Sequence, residues 1–392
     1  MPETRELLDA CVHCGFCLPS CPTYTLWGDE MDSPRGRIHL MSLVEEGEVE
    51  LDATVATHFD RCLGCLACVP ACPSGVRYDL LITRARSLRR ERAPRGLRRR
   101  LVEDGVLAAA ARPRLLRTLA WPLALGLRPS PLVPRVTPSD LRARPDRVTP
   151  ARGEARMRAA LLEGCVQRAF FGRVNRAAAR VLAADGCEVS VPPGQGCCGA
   201  LALHSGREEE ARRRAQATIA ALGGHDRVVV TAAGCGSAMK EYGDLLDTDE
   251  AREFSASVRD VTELAAELGP RAERAPREPV RVVYQDACHL RQAQGVTAQP
   301  REVLGAIPGV EVVEIEDADM CCGSAGIYNL LEPKTGRELG SRKAAAILAA
   351  EPDIVATANP GCAIQIAAAL RRAGHPGLPI VHPVELVAAS LA

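Results

Sequence analysis

A chain of 392 residues has room for two or three domains. Its 49 basic and 49 acidic residues cancel, so net charge gives no argument for nucleic-acid or membrane binding, and aromatics at 3% are too few to suggest base-stacking platforms. No apolar run approaches the roughly 20 residues that span a bilayer, and Met1–Ala10 lacks the basic and apolar regions of a secretory signal.

The first elements in chain order are two cysteine runs of identical spacing. They read Cys11-x2-Cys14-x2-Cys17-x3-Cys21-Pro22 and Cys62-x2-Cys65-x2-Cys68-x3-Cys72-Pro73. Three thiolates at x2 spacing let one tight loop wrap three corners of a [4Fe–4S] cube. The fourth, before a proline, ligates the other cluster of a two-cluster pair. The expected ligand sets are Cys11, Cys14, Cys17 and Cys72 for one cluster, and Cys62, Cys65, Cys68 and Cys21 for the second. Gly15 and Gly64 leave room for backbone N–H groups to approach the sulfurs. Zinc uses paired C-x2-C motifs and does not call for this run twice. A disulfide framework suits a small secreted chain, whereas so many thiols suit a reducing cytoplasm.

Between the runs, Ser33 is a candidate N-cap with Pro34 at the first helical position, ahead of a helical segment Arg37 to Glu46. Further helices are expected over about Thr54 to Arg61 and from near Asp79. Residues 1–90 therefore read as an all-α two-cluster domain.

Residues 84–100 carry nine arginines against Glu91. They read as a solvated helix face or as a docking strip for anionic lipid or an acidic partner. The Arg/Pro-rich stretch that follows, within a connector over 91–155, is expected to pack on its neighbours.

From about residue 156 the chain repeats itself. Cys165…Cys197-Cys198…Cys235 is echoed by Cys288…Cys321-Cys322…Cys362, with Cys197-Cys-Gly-Ala200 matching Cys321-Cys-Gly-Ser324. Strands are expected at Ala159–Leu162, Glu188–Val191 and Arg227–Thr231, then at Val280–Tyr284, Val310–Ile315 and Asp353–Ala356. Alternation with amphipathic helices such as Arg337–Ala350 predicts parallel βαβ units, one domain over 156–271 and its copy over 272–392. The fold class is thus α+α/β. Each copy gathers four thiols at the carboxyl ends of its strands. These eight are candidates for further iron–sulfur clusters, for a zinc or mixed site, or for redox-active or packed thiols. His204 and His289 are candidate extra ligands or proton carriers, or satisfied polar residues. Cys187 stands outside the pattern and is expected to be buried packing.

The repeats resemble the cysteine-rich "CCG" domain of heterodisulfide reductase subunits, whose fuller pattern ends in Cys-x2-Cys and can hold a noncubane cluster. Here Cys235 and Cys362 lack that fifth cysteine, which speaks against a noncubane cluster. The whole chain resembles the glycolate oxidase iron–sulfur subunit family. The stretches that carry this are Ser33-Pro-Arg-Gly-Arg-Ile38, Gly164-Cys-Val-Gln167, Cys321-Cys-Gly-Ser-Ala-Gly-Ile-Tyr-Asn329, Asn359-Pro-Gly-Cys362 and His382-Pro-Val-Glu-Leu386.

The resemblance implies an electron-transfer subunit without a catalytic residue of its own, serving an FAD-containing 2-hydroxy-acid dehydrogenase partner and a quinone or other membrane acceptor. It implies a cytoplasmic protein, or one peripheral on the inner face of the cell membrane. No G-x-G-x-x-G follows a strand, so no flavin is expected on this chain. Rival readings are an equivalent subunit for D-lactate, another 2-hydroxy acid or glycerol 3-phosphate, and a disulfide reductase of the heterodisulfide type.

Overall fold

A computed structural model describes residues 3–93, 96–110, 112–127, 132 and 136–392. Residues 3–93 form helices and no strand: Thr4–Asp9, Pro22–Trp27, Pro34–Glu45, Ala53–Arg61 and Tyr78–Arg92, with a 3-10 turn at Glu30–Asp32. Ile38, Phe59, Leu81 and Ile82 supply their core, into which Cys62 and Cys68 are folded. The Pro34–Glu45 helix starts as expected at Pro34, where Ser33 Oγ accepts from Gly36 N at 2.9 Å and Pro34 occupies N1, so the segment expected from Arg37 is its continuation.

The arginine strip is neither a continuous solvated face nor an open docking strip. Arg89 is buried and bonds Asp60 Oδ2 at 2.5 Å; Arg99 reaches the same carboxylate at 2.9 Å and Glu103 at 2.6 Å. Arg86 donates to the Cys62 carbonyl at 2.6 Å. Guanidinium groups are buried only against partners, and Asp60, from another helix, is the partner sequence distance concealed. Arg92, Arg98 and Arg100 stay exposed, and Arg95 lies outside the described residues. The connector is largely helical, with helices Leu97–Ala110, Pro113–Ala124 and Pro138–Arg142. Ala120, Val136 and Leu141 pack there against Phe170 of the first repeat.

The repeats form two sheets. The first contains β1 (Val148–Thr149), β2 (Met157–Leu161), β3 (Cys187–Ser190), β4 (Arg227–Val230) and β5 (Val258–Asp260), in the order β1-β3-β2-β4-β5. The second contains β6 (Val280–Tyr284), β7 (Val310–Val313), β8 (Ile354–Ala356) and β9 (Ile380–Val381), in the order β7-β6-β8-β9. All pairings are parallel except β1 with β3. The order β3-β2-β4-β5 is repeated by β7-β6-β8-β9, as an internal duplication requires. All six expected strands occur within one or two residues. The unforeseen β1, β5 and β9 are two or three residues long, too short to leave a periodic signal.

The copies are fused rather than strung together. Leu161, Val189 and Val229 of the first share one apolar cluster with Val282, Tyr284 and Leu304 of the second. The Gly172–Ala184 helix packs on the C-terminal helix Pro383–Ala389. His382 caps that last helix, its Nδ1 accepting from Val384 N at 3.1 Å while Glu385 accepts from His382 N at 2.9 Å. This capping box accounts for the His382-Pro-Val-Glu385 stretch. Cys187 lies in β3, fully buried within the shared core, as expected of packing.

Candidate metal centres

The two tight loops lie side by side. Cys11, Cys14 and Cys17 line one small cavity with Cys72; Cys21 lines another with Cys62, Cys65 and Cys68, which also borders the first. Each cavity thus gathers the three x2-spaced cysteines of one run with the x3-Pro cysteine of the other. The sites differ in exposure. Cys14 is exposed and Cys11, Cys17 and Cys72 are half-buried, whereas Cys21, Cys62, Cys65 and Cys68 are buried. Burial pushes the Cys17 thiol up to about 11 and those of Cys65 and Cys68 well above their usual value. Four cysteines converging within one pocket fit a group that neutralises thiolate charge, as iron does.

One stretch between the loops serves both. Gly36 must lack a side chain, since a Cβ there would stand 1.9 Å from the Glu30 carbonyl oxygen. That close approach aligns two arginines in opposite directions. Arg35 pairs with Glu30 at 2.8 Å and donates to the His13 carbonyl of the first loop at 3.0 Å. Arg37 is buried, donating to the His58 carbonyl at 2.7 Å and to Thr23 Oγ1 at 3.2 Å, with Nη1 4.0 Å from Cys21 Sγ. Its counter-ion Asp32 is also buried and takes His58 Nδ1 at 3.0 Å and Arg61 Nη1 at 2.7 Å.

A fixed cation thus stands against the inner thiolate set. Burial opposes the Cys62 thiolate, but Arg37, Arg86, Tyr78 Oη at 3.6 Å and Gly64 N at 3.3 Å outweigh it and bring its pKa down. Gly64 was expected in this role. Arg37, Asp32 and Tyr78 were not; the Ser-Pro-Arg-Gly-Arg stretch was the available signal, legible only as a helix start.

In the repeats the winding reverses between β2 and β4, and again between β6 and β8, which opens a crevice beyond their carboxyl ends. Cys165, Cys197-Cys198 and Cys235 follow β2, β3 and β4; Cys288, Cys321-Cys322 and Cys362 follow β6, β7 and β8. Within each set the thiols interact in succession. Both sets then face one cavity of about 240 Å³. Spacing predicted two four-thiol groups; their meeting in a single cavity is a tertiary result. Gly199 at φ +87° and Gly323 at φ +81° turn the two double-cysteine loops through a backbone region that favours glycine.

His204 and His289 line this cavity with their rings 5.2 Å apart. His289 Nδ1 lies 3.6 Å from Cys288 Sγ, and neither Nε2 has a hydrogen-bond partner among the described residues. Burial, with His289 and Arg86 nearby, holds His204 well below the usual imidazole range.

The two halves also meet. Leu63, Cys65 and Ala67 of the inner loop pack with Cys321, Tyr328 and Leu339, and Cys288 is an electrostatic neighbour of Cys65. Arg77 bonds Asp244 across the same junction at 2.8 Å.

Comparison with known proteins agrees with this geometry. Residues 7–76 match the family described as a 4Fe-4S dicluster domain, and residues 159–240 and 282–367 each match the cysteine-rich CCG domain. The glycolate oxidase iron–sulfur subunit of Escherichia coli (strain K12) is 36% identical over 99% of this chain and 95% of its own length. The chain belongs to the glycolate oxidase iron–sulfur subunit family. The probable glycolate oxidase iron–sulfur subunit of Bacillus subtilis (strain 168) is also 36% identical, over 98% of this chain and 94% of its own. Lactate utilization protein A of Geobacillus kaustophilus is 27% identical over 59% of this chain and 98% of its own length. As a member of this family the protein is an iron–sulfur electron carrier, and among its described residues no helix is long and apolar enough to cross a membrane.

Proposed function

We propose that the protein is the electron-transfer subunit of a glycolate oxidase complex. A partner flavoprotein oxidises glycolate to glyoxylate, and this chain delivers the electrons to a quinone-type acceptor. Cys11, Cys14, Cys17 and Cys72 hold one [4Fe–4S] cluster, and Cys62, Cys65, Cys68 and Cys21 hold the second. Such clusters exchange single electrons, so the two-electron oxidation of a 2-hydroxy acid belongs to a flavin on the partner.

The observation that carries this reading is the graded burial along one line of cysteines. Cys14 faces solvent, Cys65 is buried, and Cys288 beside it opens the eight-thiol cavity. Electrons enter where Cys14 meets the partner and leave on the Cys65 side. Arg37 offsets thiolate charge at the inner site, and the apolar shell of Leu63, Ala67 and Tyr328 keeps water from the crossing. Relatives named for lactate utilization favour one second reading, a different 2-hydroxy acid on the partner.

Anaerobic reduction of the purified complex, followed by EPR, tests both. Cluster signals develop with glycolate and stay absent with D-lactate if the main reading holds. The reverse pattern transfers the assignment to lactate, and reduction by neither acid removes it.

A further inference from the structure

The two cluster loops differ in the charge around them as well as in exposure. Each carries a glycine beneath an arginine. A Cβ at Gly15 would stand 2.9 Å from Arg35 Nη1, and one at Gly64 would stand 3.1 Å from Arg86 Nη1. Arg35 donates to the His13 carbonyl at 3.0 Å, and Arg86 to the Cys62 carbonyl at 2.6 Å. Their counter-ions are not alike. Arg35 is held by Glu30 through two contacts, Nε to Oε1 at 2.8 Å and Nη2 to Oε2 at 3.1 Å. Arg86 is half-buried and has no carboxylate within ion-pair distance among the described residues.

The inner set has further positive charge. Arg37 and Arg61 face the single carboxylate of Asp32, at 3.3 and 2.7 Å, an excess of one guanidinium. Among the described residues, side-chain hydrogen bonds to the eight loop sulfurs all fall on this set. Arg37 Nη1 is 4.0 Å and Thr23 Oγ1 3.2 Å from Cys21 Sγ, and Tyr78 Oη is 3.6 Å from Cys62 Sγ. Thr23 gives its hydroxyl hydrogen to the Asp32 carbonyl at 2.6 Å, which leaves Arg37 and Tyr78, both buried, as the side-chain donors.

Reduction adds one negative charge to a cluster, so burial by itself makes the inner cluster harder to reduce than the outer one. Fixed cations and donors work the other way, and in a site without water they act with little screening. In the inward step one electron leaves the reduced outer cluster and enters the oxidised inner one, with no bond formed or broken. That step runs readily only where the second effect matches the first.

We infer that Arg37, Arg86 and Tyr78 are positioning residues that hold the reduction potential of the inner cluster at or above that of the outer one, against its burial. The inference rests on the ligand sets and the inward direction proposed above.

The test is an anaerobic potentiometric titration of the full-length, cluster-loaded protein, reduced by dithionite through mediators and followed by EPR. No glycolate or flavoprotein is present, so failure of the substrate assignment leaves these potentials unaffected. Cys65→Ser identifies the outer cluster as the signal that remains. In wild type the other cluster titrates at the same or a higher potential. Tyr78→Phe keeps the ring and removes one donor, and raises the oxidised-to-reduced ratio of the inner cluster several-fold at a fixed potential. Arg86→Gln raises it about tenfold, a downward shift of about 59 mV for one electron. Arg86→Lys keeps the charge and stays close to wild type. Arg37→Gln moves the same signal down in the fraction that retains both clusters. The outer potential is unchanged in each, and iron content at the wild-type level shows that both clusters are in place. An inner potential below the outer one in wild type overturns the inference. So do unchanged potentials in Tyr78→Phe and Arg86→Gln, equal shifts of both clusters, or a shift in Arg86→Lys as large as in Arg86→Gln.

Discussion

The two tight loops and the two repeats both gather cysteines, but by different physics. In the loops, x2 spacing brings three sulfurs together within one short turn, and only the fourth crosses to its neighbour. In the repeats, cysteines more than thirty residues apart are collected because parallel strands deliver their following loops to the same sheet edge. The first kind of site depends on local backbone and a buried counter-charge. The second depends on sheet order and on glycines that turn the loops. The difference predicts what each will tolerate.

Arg37→Leu should be the most damaging change. It strands Asp32, which has no exposure, with only His58 and Arg61 beside it, and removes the cation nearest Cys21. Loss of one partner from a buried pair costs about 3–5 kcal/mol. Thermal unfolding and iron content should both fall; an unchanged iron content would show that the loops need no internal cation.

Cys65→Ser should leave the fold closer to intact and remove one cluster. Iron and sulfide should drop from about eight of each to about four in a two-cubane protein. Delivery to a quinone should stop while the flavoprotein still reduces an artificial dye. Equal loss of both activities would break the proposed relay, and a wild-type count well above eight would make the repeat cysteines cluster ligands.

The repeats can be set against each other. Gly323→Ala places a Cβ 2.8 Å from the Gly336 carbonyl oxygen and 2.9 Å from Leu339 Cβ, whereas at Gly199 the nearest atom, the Ala211 carbonyl oxygen, is 3.2 Å away. Both substitutions carry the left-handed backbone cost of about 1–2 kcal/mol. The Gly323 variant should therefore show the larger fall in melting temperature. Equal falls would mean that backbone conformation alone decides.

The smallest effect concerns pH. Burial depresses the His382 imidazole to about 3, from an ordinary value of 6.5. The folded state thus binds fewer protons than the unfolded one. Stability from this group is complete above about pH 6.5 and declines as pH falls towards 3. His382→Asn keeps a capping acceptor without an imidazole to charge, and should flatten that part of the pH–stability profile. A profile identical to wild type would assign the acid sensitivity elsewhere.

Legibility follows the same division. The cysteine runs, the Ser33–Pro34 helix start, the six main strands and the duplication were readable because each is encoded in neighbouring residues or in a repeat. The inward turn of Arg86, Arg89 and Arg99 was not, since an arginine on a helix looks alike whether it meets water or Asp60. Nor was the role of Arg37, whose partners come from three separate segments.

Sequence alone determined the iron–sulfur character of this protein, because four thiolates at that spacing before proline suit little else. It also determined the doubled α/β architecture, because hydrophobic periodicity and repetition are properties of the chain. The tertiary structure decided that the sixteen grouped cysteines form one connected series from exposed Cys14 to the cavity between the repeats. That continuity depends on Cys65 meeting Cys288, a contact set by packing between elements more than two hundred residues apart. No local pattern records such a contact, because its energy arises only when both surfaces are already folded.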